Sequence, residues 1–187
     1  MSDTGVPAAR DFVPGIDRFP AVVAAWPEDV ERVSSFLRDA GAEARIEEFA
    51  DATPTAAGAA EAVGCPLDQI VKSLVLMCGD RPVVALVPGD RRADPEKVAR
   101  AAGSASARVA SALEVEQATG FAPGAVAPFP LPRVDTILLD RTLLCHPLVW
   151  AGGGSPSHLV GLAPTELGRL ARARPTDVVK DTDLLSQ

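Results

Sequence analysis

The sequence predicts a mixed α/β (α+β) domain: one strongly curved, partly barrel-like mixed sheet with helices packed outside it. Three observations predict this. Apolar strand-like runs and periodic helix-like runs interleave along 187 residues, enough chain for one sizeable core and short for two. Some strands are joined by tight turns and others by whole helices, which mixes antiparallel with parallel neighbours. The 47% hydrophobic fraction includes only six Phe and two Trp, and no Tyr, so the interior is built mostly from small side chains.

The elements follow in order. Residues 1–25 hold Gly5, Pro7, Pro14, Gly15 and Pro20 without a period and read as an N-terminal arm or tail; residues 26–187 form the domain. Pro27 to Ala40 is helical, with Val30, Val33, Phe36 and Leu37 at helical spacing and Gly41 as its stop. Ala44 to Phe49 is a strand. Thr53-Pro54-Thr55 opens a helix through Val63 that Gly64 ends, and Cys65-Pro66-Leu67-Asp68 is a turn. Gln69 to Cys78 and Pro82 to Val87 are two strands joined at Gly79-Asp80-Arg81. Asp94-Pro95-Glu96 caps and starts a helix to Ala102, before Gly103. Ala107 to Ala110 is a short strand, and Ser111 with Glu114 is a capping box for a helix ending near Thr119. Strands follow at Ala125–Ala127, Val134–Leu139, Leu148–Ala151 and Leu159–Leu162, and Pro164 starts a last helix to Ala173.

Net charge is −7, which argues against broad non-specific binding to nucleic acid. The charge is uneven. Glu28 to Asp51 holds eight acids against three arginines, whereas Asp90 to Arg108 holds five bases (Arg91, Arg92, Lys97, Arg100, Arg108) against three acids. That basic strip is either a solvated helix face or a contact for one nucleic-acid end. Cys65, Cys78 and Cys145 are too dispersed for a disulfide framework or a zinc site. No leader pattern opens the chain, and no apolar run reaches the ~20 residues that span a bilayer. A cytoplasmic protein with no membrane contact is expected.

Lys72 is the first candidate for chemistry. It interrupts Ile70-Val71-Lys72-Ser73-Leu74-Val75-Leu76, a run that otherwise reads as a buried strand. A lysine there must reach a counter-charge, reach water or lose its proton. It is either an edge lysine snorkelling to solvent or a point charge facing a pocket, suited to phosphate or carboxylate. The second candidate is the loop Gly120-Phe121-Ala122-Pro123-Gly124-Ala125-Val126-Ala127-Pro128. Its glycines permit close backbone approach and its prolines stiffen it, so its amides are held ready for a carbonyl oxygen or an oxyanion. Gly120 alone also fits a plain helix C-cap. Gly152-Gly153-Gly154-Ser155 is either a pocket wall or a hairpin turn, and lacks the spacing of a P-loop. His146 and His158 sit beside no evident nucleophile elbow, so neither a Cys/His dyad nor a metal is expected, and no cofactor.

The order of these segments resembles the YbaK/prolyl-tRNA synthetase-associated domain family of aminoacyl-tRNA deacylases. The match runs from Ala59-Ala60-Glu61-Ala62-Val63-Gly64 through Ile70-Val71-Lys72-Ser73-Leu74, Lys97-Val98-Ala99, Ala118-Thr119-Gly120 and Pro128-Phe129. It continues to Thr136-Ile137-Leu138-Leu139-Asp140 and Ala151-Gly152-Gly153-Gly154. The resemblance implies a free-standing editing hydrolase that clears a small amino acid from tRNA(Pro) or a related tRNA, with prolyl-tRNA synthetase as a possible partner. It implies that Lys72, Gly120 and Gly124 carry catalysis, and that Ser73, Phe121, Pro123, Ala125, Gly152, Gly153 and Gly154 line the substrate cleft. In that reading the loop amides hold the ester carbonyl, Lys72 holds the terminal phosphate or ribose, and water attacks without a protein nucleophile. Arg91, Arg92, Lys97 and Arg100 mark the path of the tRNA. Two other readings fit the same residues: a module that binds a tRNA 3′ end or an amino-acid-like ligand without turnover, and a thiol enzyme using one of the three cysteines.

Overall fold

Strands β2 (Ile70–Cys78) and β3 (Arg81–Pro88) form the antiparallel hairpin at the centre of the sheet, in register from Val71↔Pro88 to Cys78↔Arg81. The computed structural model describes residues 26–49 and 55–181; the expected arm at residues 1–25 and the expected helix start at Thr53 and Pro54 lie outside them. The hairpin loop is two residues, Gly79-Asp80, with Gly79 at φ +64°. Tight hairpin turns demand that left-handed backbone.

The other strands are β1 (Ala44–Glu48), β4 (Arg108–Val109), β5 (Thr136–Asp140), β6 (Val149–Gly152), β7 (His158–Leu162) and β8 (Arg174–Thr176). The eight-stranded sheet runs β1-β7-β6-β2-β3-β5-β8, and β4 pairs with β2 off this path. β5 is parallel to β3, β8 to β5 and β6 to β2. The β1/β7, β6/β7 and β2/β4 pairs are antiparallel. This is the expected mixed, curled sheet, and among the described residues it does not close.

Both faces of β3 are covered, which is why its apolar residues run on without alternation. Val84 and Leu86 join Val33 and Leu37 of α1 (Glu28–Asp39), Phe121, Phe129 and Leu167 of α5 (Pro164–Leu170). Val83, Ala85 and Val87 point the other way, toward Val98 of α3 (Pro95–Ala101) and toward Val178 and Val179. Ala59 and Ala60 of α2 (Ala56–Val63) pack on Ile70, Trp150 and Leu159. α4 (Ala112–Thr119) starts with the expected capping box. There the Arg108 guanidinium grips Glu114 at 2.8 and 2.6 Å, and with the Ser111 amide it holds the carboxyl down at about 2.

One irregularity of pairing matters for the site. On the β2 edge away from β3, β6 meets only Ile70 and Val71, and β4 meets only Leu76 and Met77. The Ala110 amide reaches the Val75 carbonyl at 3.0 Å. Lys72, Ser73 and Leu74 are left without a strand neighbour on that side, and they form the half-buried stretch inside a largely buried strand.

Two expectations need correction, and three short elements go beyond them. Ala125–Ala127 is buried irregular backbone rather than a strand; Pro123 and Pro128 cannot donate to a ladder and Gly124 lies at φ +87°. The last helix ends at Leu170, where the chain turns through Arg172 at φ +50°. Leu67–Gln69 and Arg141–Cys145 form single 3-10 turns that periodicity does not reveal. β8 reads Arg-Pro-Thr, a poor strand sequence that survives because proline is tolerated at a sheet edge.

Gly161 tests the packing of this sheet. It lies opposite Trp150 across the β6/β7 ladder, and an added Cβ would meet the indole carbons at 2.9 Å. Trp150 is buried, with the Arg45 guanidinium 4.8 Å from its ring centroid, so the ring cannot swing aside freely. Gly161→Val lowers stability by about 1–3 kcal/mol, the usual cost of overpacking, read as a lower thermal midpoint.

Candidate functional site

The gap in the β2 edge opens into two adjoining cavities. The larger, of about 520 Å³, is lined among others by Lys72, Ser73, Val75, Arg92, Val109, Val115, Pro123, Gly124 and Lys180. The smaller, of about 280 Å³, is lined by Thr55, Ala56 and Ala59 of the α2 end, by Val71 to Leu74, and by Gly124, Val126, Gly152 and Leu159. Lys72, Ser73, Leu74, Gly124 and Val126 border both. A positive side chain and a stiff glycine turn therefore meet at one junction.

Lys72 is half-buried, and its ammonium is tethered. Nζ donates to the Gly89 carbonyl at 2.9 Å and also to the Arg91 carbonyl. An ammonium has three donors, so one is left over. Burial pulls its pKa below the usual lysine value; the Asp90 carboxylate opposes that and the Arg92 charge adds to it. The Gly89–Arg91 turn that cradles it escapes pattern reading. Gly89 is glycine for space: an added Cβ would sit 2.4 Å from the Leu67 carbonyl oxygen. The signal that could have exposed the turn is Pro88-Gly89-Asp90, directly after a strand.

Gly124 takes φ +87° and has open space where a side chain would project. Ser73 Oγ is buried without a hydrogen-bond partner among the described residues. The remaining site candidates separate. Pro123 lines the larger cavity and Gly152 the smaller. Gly120 instead closes α4 at φ +71°, and its carbonyl accepts from Arg32 at 3.0 Å. Phe121 is fully buried, with the Arg32 guanidinium 4.2 Å from its ring centroid. Ala125 is buried and its amide is used within the loop, on the Ala122 carbonyl. Gly153 and Gly154 are small so that chains can pass: an added Cβ would meet the His158 backbone at 2.9 Å and the Asp29 carbonyl oxygen at 2.8 Å. These five border neither cavity.

The basic strip also divides. Lys97 is bound by Asp177 at 2.9 Å and Asp181 at 2.6 Å, and those hydrogen bonds push its pKa up to about 12. Arg108 belongs to Glu114. Arg92 lines the larger cavity together with Lys180, which the strip did not include. The histidines lie outside both cavities. His158 is buried, with Ser155 Oγ at 2.6 Å and Ser157 Oγ at 3.2 Å from Nδ1. No cysteine lines either cavity, and burial raises the thiols of Cys65 and Cys78 away from the reactive thiolate. Among the described residues no three His, Cys, Asp or Glu side chains cluster as a metal site. No helix among them is long and apolar enough to cross a membrane.

A small, largely apolar pocket and a larger cavity lined by Arg92 and Lys180 thus meet at the half-buried Lys72. The sequence profile of the aminoacyl-tRNA editing domain matches residues 50–170. The chain belongs to that family, the YbaK-like editing domains. It is 33% identical over 138 residues to the uncharacterized protein YwhH of Bacillus subtilis, covering 73% of this chain and 87% of that one. It is 30% identical over 141 residues to proline–tRNA ligase of Xanthomonas oryzae pv. oryzae, covering 73% of this chain and 25% of the ligase. A crystal structure provisionally described as a trans-editing enzyme for prolyl tRNA synthetase superposes with TM-score 0.78 at 36% identity, covering 84% of this chain and all of that one.

Burial places an electrostatic cost on the Lys72 ammonium. Its Nζ titrates below the ordinary value of about 10.4, because burial disfavours the charged form more than Asp90 supports it. The folded chain then binds fewer protons than the unfolded chain between the two pKa values, so this group makes folding more favourable as pH rises through that window. Side-chain NMR titration of Nζ checks it; a midpoint at or above the ordinary value contradicts the burial argument.

Proposed function

We propose that this protein deacylates mischarged aminoacyl-tRNA in trans, hydrolysing the ester between a small amino acid and the tRNA 3′ end. The observation that carries this reading is the tethered Lys72 ammonium at the junction of the two cavities. The small apolar cavity suits the amino-acid side chain, and the larger one suits the terminal adenosine. The Ala56, Ala59 and Leu159 lining of the smaller cavity favours a small residue such as alanine, serine or cysteine. The likeness to prolyl-tRNA ligases and to the trans-editing structure supports tRNA(Pro) as carrier and prolyl-tRNA synthetase as partner.

The chemistry needs little from the protein beyond position. The free Lys72 donor holds the ribose oxygens beside the ester. The Gly124 amide, which makes no hydrogen bond among the described residues, donates to the carbonyl oxygen as negative charge develops on it. The substrate's neighbouring ribose hydroxyl orients a water. Water oxygen bonds to the carbonyl carbon, the ester C–O bond breaks, and the proton goes to the departing ribose oxygen. An activated ester and a held water can react fast on proximity alone. Gly120 and Phe121 act one step back, as the anchor that sets the loop.

Two outcomes are expected. Lys72→Met abolishes release of amino acid from Ala-tRNA(Pro), Ser-tRNA(Pro) or Cys-tRNA(Pro), while the protein still folds cooperatively. Full activity in that variant removes Lys72 from the mechanism, and retention of charged tRNA without release by the native protein identifies a binding module instead. Gly124→Val costs about 1–2 kcal/mol of stability for its left-handed backbone but cuts turnover by at least a hundredfold, because the new side chain enters the cavity. Turnover that falls only in step with the folded fraction assigns the glycine a structural role.

A further inference from the structure

The larger cavity carries three cations, Lys72, Arg92 and Lys180, and no carboxylate among its lining residues, in a chain of net charge −7. Two of the three are held face to face. Ala93 and Val179 form an antiparallel bridge, and the Lys180 amide donates to the Arg92 carbonyl at 2.9 Å. Residues directly opposite in such a pair carry side chains on the same side, about 5 Å apart at Cβ, where like charges repel. Neither side chain forms an ion pair among the described residues, although acids are close by. Asp181 is committed to Lys97 at 2.6 Å, and Asp90 lies 3.7 Å from Arg91.

The segment that brings Lys180 there is firmly seated. β8 pairs with β5. The Val178 amide donates to the buried Asp140 carboxylate at 3.1 Å, and the Asp94 amide donates to the Val178 carbonyl at 2.8 Å. Val178 and Val179 are buried, and Lys97 clamps Asp177 and Asp181 on either side. The strap itself, from Arg174 to Asp181, lies beyond residue 170, where the match to the editing-domain profile stops, while the residues that hold it lie within the match. The strap thus delivers one cation without an ion pair opposite another at the cavity's edge. Beside it the cavity wall is apolar, with Val109 71% exposed at its rim, a surface on which a base can lie.

We propose that Lys180 and Arg92 bind the phosphodiester of the single-stranded tRNA 3′ end that enters the larger cavity, so that the strap beyond β8 is part of the substrate site. This rests on the editing reading and adds a contact to it. The test is calorimetric binding of two non-hydrolysable probes: alanine joined by an amide to the 3′ position of the trinucleotide CCA, and the same amide on adenosine without phosphate. Lys180→Ala is expected to weaken the trinucleotide about tenfold, to flatten its log-affinity against log-salt slope by about 0.7, and to leave the adenosine probe alone; Lys180→Arg restores the affinity. Unchanged trinucleotide binding, or equal weakening of both probes, overturns the phosphate contact while the editing reading stands. Failure of the native protein to bind either probe overturns the editing reading, and the phosphate site with it.

Discussion

Strand β2 is paired along one whole edge and only at the two ends of the other, and the rest of the site follows from that. β6 takes Ile70 and Val71, β4 takes Leu76 and Met77, and the sheet splits between them. A sheet interior normally leaves no room for a ligand. Here the split exposes three residues of a central strand without exposing a free sheet edge to solvent along its length. Lys72 sits in the split, so its charge is partly desolvated yet reachable. Two carbonyls of the turn after β3 compensate the lost water. The arrangement needs Gly89 at that turn, since any side chain would strike the Leu67 backbone.

Charge placement follows the same logic at larger scale. The acidic helix α1 settles its charges locally, with Asp29 on Arg32 and Glu31 on Arg38, and with its first-turn acids at the favourable end of the helix dipole. Glu114 and Glu166 are likewise matched by Arg108 and Arg169. The cations left around the larger cavity face none of these acids. An acidic protein can thus present a locally basic cleft to an anionic substrate while repelling nucleic acid elsewhere, which favours one productive orientation over tight general binding.

Much of this was legible in the sequence. The capping residues Asp94, Ser111 and Glu114, the stops at Gly64 and Gly120, and the apolar period of α1 mark their elements because local chemistry decides them. Lys72 stood out because a cation in an apolar strand demands an explanation. The glycines were harder. Gly120, Gly153, Gly154 and Gly124 look alike in sequence, yet the first is a helix cap, the next two make room for passing backbone, and only Gly124 borders the cavities. Phe121 is hard to place for the same reason: it does lie in the loop, but its side chain turns into the core under Arg32 and away from the cavities. Lys180 could not be found by pattern, because it reaches the site through the β8 strap, whose Arg-Pro-Thr core reads as coil and whose pairing is entirely long-range.

The most direct measurement is a crystal structure of the protein with an alanyl amide of 3′-amino-3′-deoxyadenosine. The amide carbonyl is predicted at the junction of Lys72 and Gly124, with the methyl group toward Ala56 and Ala59 and the adenosine in the larger cavity. A ligand seated elsewhere, for example in the small pocket lined by Arg32 and Arg133, would contradict the account of the split strand as the catalytic centre.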